Sequence, residues 1–409
     1  MLIYFPVHVA RGKYHKGFSF RFGFLPKEFK TICRGKKNIW IHAVSVGEVL
    51  AIVDLVAKLK QALPYHHIIC TTVTKTGYKI ACDQLPKSCS VLFAPLDFSW
   101  VVKKYINVIC PQIYLSVETE IWPNLYHALH ARKVPIMLIN GRISDKSFKK
   151  YKRLKSLLKG ILGDVTLFLM QSQMDADRII HLGADSNRVR VLGNVKFDNL
   201  PSKVLLEKRD LGFEASDELL IAGSTHPGEE EILIDVYKAL LSSHPHLRLI
   251  LTPRHVERSE EIVSLVQSHG FEPVRFSQLN QVVLTARSMV IVDEIGHLRE
   301  LYSLAKLVFV GKSLCGEGGQ NVIEPAFFGK PVFVGPHTYN FKDIMEIFLR
   351  EKAIVQIQNA DELLSVMQKL LNDPTEFNHI GHTAQKIVER YQGSTRKTVE
   401  EIVNLISSG

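Results

Sequence analysis

Along most of this chain, short apolar runs alternate with polar turns and stretches of helical spacing. The runs at 39–44, 68–73, 91–94, 112–117, 134–140, 165–171 and 189–192 are apolar nearly throughout, not at every second residue. Such strands are buried on both faces, as in a parallel sheet sandwiched between helices. After a polar interval at 198–208 the pattern restarts at 219–222, 248–252, 282–284, 290–292, 307–310 and 332–334. The expected architecture is α/β, two Rossmann-like doubly wound domains facing a central cleft, the first over 1–200 and the second over 201–409. A helical tail over 384–406 is expected to return to the first domain.

Ligands of doubly wound sheets sit outside the carboxyl ends of the strands, and most polar motifs fall there. The run at 315–331 places Gly316, Gly318 and Gly319 between a strand and helix formers from Asn321 to Phe328. Glycines allow a tight turn and close approach by a ligand, and a helix N-terminus beyond them favours phosphate. Glu324 suits the hydroxyls of a ribose, so the stretch reads as a nucleotide site or as a glycine-rich surface turn. Arg254 at a strand end offers a forked donor to phosphate. The Gly223–Thr225 turn and Gly296–His297 border the same edge. In the first domain, Glu48 follows a strand and a turn poor in solubilising residues. It is either a first-turn acid favoured by the helix dipole or an ionised general base. Glu118 and Glu120, two apart at a strand end, are not expected to face the cleft together if the strand geometry persists. Lys196 could neutralise a leaving phosphate or a substrate carboxylate.

Charge points to an anionic partner. The net charge is +10, and residues 1–47 carry nine Lys/Arg against the single acid Glu28. Residues 145–159 carry seven against Asp145. Nucleic acid, an anionic membrane face and a phosphorylated substrate all answer to such patches. No apolar stretch reaches the length of about 18 residues that spans a bilayer. The segment 1–10, backed by basic residues and interleaved phenylalanines, is expected to lie at a lipid interface. The six cysteines form no CxxC pair, and several sit in apolar, strand-like runs, as buried thiols of a reducing compartment would. His66, His67, His244 and His246 read as surface or loop histidines, without helical metal-ligand spacing.

Taken together, HAVSVGE (42–48), ETEIWPN (118–124), NGRIS (140–144), GNVKFD (193–198), GSTHPGEEE (223–231), LTPRH (251–255) and GGQNVIEPAFFGKPV (318–332) resemble the 3-deoxy-D-manno-octulosonic acid (Kdo) transferases. These are glycosyltransferases of lipid A assembly, and the likeness runs in order over almost the whole chain. It implies a GT-B fold, CMP-Kdo as donor, a lipid A precursor as acceptor, and work at the cytoplasmic face of the inner membrane. It also implies inverting transfer, with Glu48 as general base and Glu118 and Lys196 assisting the transition state. CMP contacts would fall on Pro253, Arg254, Ile295, Gly296, His297, Asn321, Val322, Ile323 and Glu324. Relatives commonly carry Met-Gly-Glu where this chain has Ile295-Gly296-His297, and only the segment 1–10 could represent the N-terminal membrane helix usual in the family. No catalytic metal or other cofactor is expected, because a helix terminus, Arg254 and Lys196 would take the phosphate charge.

Two other readings remain: a GT-B enzyme acting on a UDP-sugar, or a catalytically silent nucleotide-sugar-binding scaffold at the membrane. A nicotinamide dehydrogenase is disfavoured, since no GxGxxG follows the first strand. Nucleic-acid binding would explain the charge but not the glycine loop.

Overall fold

The computed structural model describes residues 18–198, 200, 206–316 and 318–407. The segment 1–10 and the basic residues Arg11, Lys13 and Lys16 lie outside them. The chain divides into two units: Met1–Asn199 with Tyr391–Gly409, and Leu200–Arg390. Residues 391–409 therefore belong to the first unit, not to the second domain as the division at 200 would have it.

The first unit is built on seven strands: β1 (Lys37–His42), β2 (His66–Thr72), β3 (Ser90–Phe93), β4 (Pro111–Val117), β5 (Ile136–Gly141), β6 (Leu167–Met170) and β7 (Val189–Val191). They pair in parallel in the order β3-β2-β1-β4-β5-β6-β7. Alternate side chains go to opposite faces. Trp40, Tyr114 and Leu138 thus join one buried cluster, and Ile39, Ile41, Ile113 and Leu115 join the other. Each face is covered by helices, which explains why the strands read as unbroken apolar runs. Val399 and Ile402, from the C-terminal helix Ser394–Ser407, complete the second cluster beside Leu55 and Val56 of the helix Val53–Ala62.

The second unit repeats the plan with β8 (Glu218–Thr225), β9 (Leu247–Pro253), β10 (Glu272–Arg275), β11 (Ser288–Ile291), β12 (Ala305–Val310), β13 (Val332–Val334) and β14 (Val355–Gln356). Their order is β10-β11-β9-β8-β12-β13-β14, again parallel in every pair. The expected strand at 282–284 is instead an irregular segment, with Val283 91% exposed. The strand in that region is β10, disguised by Pro273. Proline cannot donate to a ladder and is tolerated at a sheet edge, which is where β10 lies.

In both sheets the order reverses beside the first strand, between β1 and β4 and between β8 and β12. Loops leaving such neighbouring strands part in opposite directions and open a crevice at their carboxyl ends.

Candidate active site

In the first unit the crevice is edged by the loop after β1. Ser45 caps the helix Val46–Ala51, its Oγ accepting from the Glu48 amide at 3.4 Å and donating to Glu48 Oε1 at 2.8 Å. Glu48 Oε2 accepts from the Val44 amide at 2.8 Å. The carboxylate is thus folded back over the turn that carries it, only 7% of the residue exposed. Burial pushes its pKa up to about 7, against the two hydrogen bonds and with help from the nearby charges of Glu118 and Glu120. The ionised form expected of a general base stays accessible near neutral pH, where a group with this pKa can both take and release a proton. His42, from the same motif, is not available for that work. It is buried with Nδ1 3.0 Å from Thr71 Oγ1, and burial lowers its pKa to about 4.

The second edge is the loop after β4. That strand ends at Val117, and Glu118 turns the chain with φ 57°, its amide bonded to Ile139 O at 2.9 Å. Glu120 accepts from Trp122 Nε1 at 3.0 Å, and burial raises its pKa, with Glu118 adding to the effect. Both acids raise the pKa of Glu48, and the strand geometry on which their separation was expected does not persist through them. Residues two apart on a strand share a face in any case, and here the strand has already ended.

Lys196 sits in a one-turn helix, Val195–Phe197, capped by Asn194, and its Nζ lies 4.0 Å from Glu118 Oε1. A buried amide network sets this turn: Asn194 Nδ2 donates to Gln171 Oε1, Gln171 Nε2 to Asn140 O, and the Val195 amide to Asn140 Oδ1. Asp198 then accepts from the amides of Gly393 and Thr395, at 2.5 and 2.6 Å. The three expected catalytic residues are thus drawn together within one unit. The asparagines and Asp198 that hold Lys196 were not singled out by the sequence, although GNVKFD contains two of them.

In the second unit, Pro253 ends β9 and the Arg254 amide bonds Thr225 O at 3.1 Å, leaving the Arg254 side chain exposed. Ile295 is 87% exposed and Gly296 has φ 112°. His297 Nε2 lies 3.2 Å from Glu294 Oε2, with its ring 4.6 Å from that of Phe276. Glu324 Oε1 accepts from Asn321 Nδ2 at 3.2 Å and from Arg299 Nε at 3.0 Å. Arg299 was not foreseen. It lies on the helix Leu298–Leu304, which His297 caps, and so ties 297 to 324. Val322 and Ile323 are buried and can offer a ligand only their backbone.

The glycine loop behaves differently from expectation. The helix after it, Ile323–Phe327, has five residues, too few for a strong macrodipole. The amides of Gly318 and Gly319 are not presented to a ligand, since they donate to His337 O and Lys312 O at 3.2 and 2.8 Å. Both residues have positive φ, and a Cβ on Gly318 would meet Asn340 Nδ2 at 2.2 Å. Their glycines serve the close passage of two chain segments. The loop is anchored by Glu229, fully buried, whose carboxylate accepts from the amides of His226, Lys312, Ser313 and Leu314. Nearby, the hydroxyls of Thr225 and Thr252 at the ends of β8 and β9 are buried without partners.

The cysteines are all unpaired, and only Cys33 and Cys70 are buried. His66 and His67, expected in a loop, are the first residues of β2 and are both buried. Among the described residues no cluster of three or more His, Cys, Asp or Glu could hold a metal ion.

Comparison with known proteins places this arrangement. The family model for 3-deoxy-D-manno-octulosonic-acid transferase (kdotransferase) matches residues 16–199. A 3-deoxy-D-manno-octulosonic acid transferase of Haemophilus influenzae is 31% identical over 396 residues, covering 96% of this chain and 92% of that protein. The chain belongs to the Kdo transferase family. It is a glycosyltransferase, and the Kdo transferase of Rickettsia felis is similar at 32% identity, over 90% of this chain and 78% of that one. A bifunctional glycosyltransferase/methyltransferase of Fusobacterium nucleatum is 35% identical, but this Kdo transferase chain spans only 56% of its length. Among solved structures, UDP-GlcNAc 2-epimerase from Neisseria meningitidis superposes with TM-score 0.59 at 10% identity, over 90% of this chain and 100% of that one. That likeness concerns the fold alone: the two α/β units of this Kdo transferase are of the GT-B glycosyltransferase/epimerase type.

Proposed function

We propose that this Kdo transferase moves Kdo from CMP-Kdo to a lipid A precursor, lipid IVA, with inversion at the anomeric carbon. Glu48 takes the proton of the attacking sugar hydroxyl, the oxygen bonds the Kdo anomeric carbon, and the bond from that carbon to the phosphate oxygen breaks. CMP leaves with the bonding electron pair. Lys196 offsets negative charge in the transition state, and Glu118 holds Lys196 in place. Donor contacts are assigned to Pro253 and Arg254, to Ile295, Gly296 and His297, and to Asn321, Val322, Ile323 and Glu324. Arg254 faces the phosphate and Glu324 the ribose. No metal is assigned a role.

The observation that carries this reading is the Glu48 carboxyl, buried in the first turn of the helix that follows β1, with burial and then Glu118 pushing its pKa up to about 7. A group with that pKa matches general-base work at neutral pH.

Work at the cytoplasmic face of the inner membrane is part of the same proposal. Phe24 and Trp100 are 66% and 52% exposed, with Lys104 Nζ 5.3 and 5.1 Å from their ring centres. Aromatic rings beside cations suit a lipid interface. No helix among the described residues is long and apolar enough to cross a membrane.

Mass spectrometry of a tetra-acyl lipid A precursor incubated with the protein and CMP-Kdo tests the reading. Addition of Kdo is expected. Glu48→Ala should abolish it while CMP-Kdo still binds. A product with a UDP-sugar and none with CMP-Kdo would refute the assignment.

A further inference from the structure

We propose that the first unit carries a second ligand site, for a soluble phosphorylated metabolite with at least two negative charges. It lies in the cavity at the amino-terminal edge of the sheet, among Lys36, Lys60, Lys87, His67 and Tyr65. This assignment does not rest on the transfer reading.

The cavity has a volume of about 480 Å³, within the size range of sites that take metabolites. It opens where β1, β2 and β3 begin, at Lys37, His66 and Ser90. Glu48 and Glu118 follow the opposite ends of β1 and β4. At about 3.3 Å per residue, the seven residues of β2 alone separate the two edges by roughly 20 Å. A molecule bound here is not the one being transformed at Glu48.

The lining is one-sided in charge. Three ammonium groups and two imidazoles border the cavity, and no carboxylate does. One cation is fixed in place: Lys60 Nζ donates to Pro64 O at 2.8 Å and to His66 O at 2.9 Å. His67, 93% buried, has its Nε2 3.1 Å from Ser90 Oγ. Burial pushes the His67 pKa down, and Lys36 and Lys60 push it further, as unneutralised positive charge must. His66, equally buried, has its Nε2 3.0 Å from Gln112 Oε1 and leaves Nδ1 without a partner. Like charges converging on a recess raise the local concentration of anions, and charge-assisted hydrogen bonds would hold a phosphate there. Tyr65, 91% exposed at the rim, presents a flat face for a base or sugar ring.

The test is calorimetric titration of inorganic pyrophosphate into the full-length protein and into the Lys36→Ala/Lys87→Ala double variant, both exposed positions. Loss of two charge-assisted contacts should weaken binding at least about ten-fold, with melting temperature and Kdo transfer unchanged. Cys89 lines the same cavity, so pyrophosphate should slow its alkylation in the wild type and not in the variant. Equal binding by both proteins, no binding at millimolar pyrophosphate, or unaltered Cys89 alkylation would each overturn the proposal. Vesicles of phosphatidylglycerol form the remaining arm. If Lys36 and Lys87 mediate binding to these but none to pyrophosphate, the source is a lipid headgroup and the assignment to a soluble metabolite fails.

Discussion

Lys196 Nζ stands 4.0 Å from Glu118 Oε1, too far for a hydrogen bond, and each side chain is about a quarter exposed, at 26% and 25%. The pair is close enough to orient the ammonium and loose enough to release it to an arriving anion. Lys196→Ala should therefore leave the fold intact, because its turn is built by Asn194, Gln171 and Asn140. The kcat should fall roughly 100-fold, as when one preorganised donor to a transition-state charge is removed. Steady-state kinetics with circular dichroism on the variant would check both parts.

Glu48→Gln should cost activity and gain stability, at high pH only. The folded protein holds the Glu48 proton up to about pH 7, whereas an unfolded chain gives it up near the ordinary carboxyl value. Folding stability thus falls as pH rises between those values, by about 3 kcal/mol in all. Gln carries no charge and escapes that loss. The variant should melt higher than the wild type at pH 8 and alike at pH 4. Melting curves at the two pH values decide it.

Glu120 adds to the upward shift at Glu48 without being assigned a chemical step. Removing its charge in Glu120→Gln should lower the Glu48 pKa, so the acid limb of the pH–rate profile should move to lower pH. An unmoved limb would mean that the rate is governed by another group.

Glu229→Ala removes the acceptor of four backbone amides at once. At roughly 1 kcal/mol net for each, about 3–5 kcal/mol of stability should be lost from the second unit. The three tryptophans, Trp40, Trp100 and Trp122, all lie in the first unit. In urea, an early transition should appear in circular dichroism while tryptophan fluorescence stays native.

Kdo transfer should persist in excess EDTA. A loss of activity restored by magnesium would require a metal in the mechanism.

Much of the fold was legible because parallel strands buried on both faces write themselves as apolar runs. The residues before Glu48 show this well, from Ile39 to Ala43. Pro273 and the two-residue β14 defeated the same rule: edge strands need neither length nor full burial. At the site, acids at strand ends were visible as such, but their states were not. The pKa of Glu48 depends on burial and on Glu120, a matter of where loops come to rest. Glu229 looked like one acid of three at a helix start, and only the folded loop reveals four amides converging on it. Gly318 and Gly319 left two readings open for a related reason. Glycine allows close approach, but the sequence does not say whether a ligand or Asn340 comes near.

Asp198 binds the amides of Gly393 and Thr395, and the latter lies 197 residues further along the chain. During synthesis the first unit must therefore wait for its last helix until the second has been made in full. At about 5–20 residues per second that delay is roughly 10–40 s. Throughout it, Leu55 and Val56 lack the cover of Val399 and Ile402. The nascent chain passes through a stage in which the later half is able to fold before the earlier one is finished.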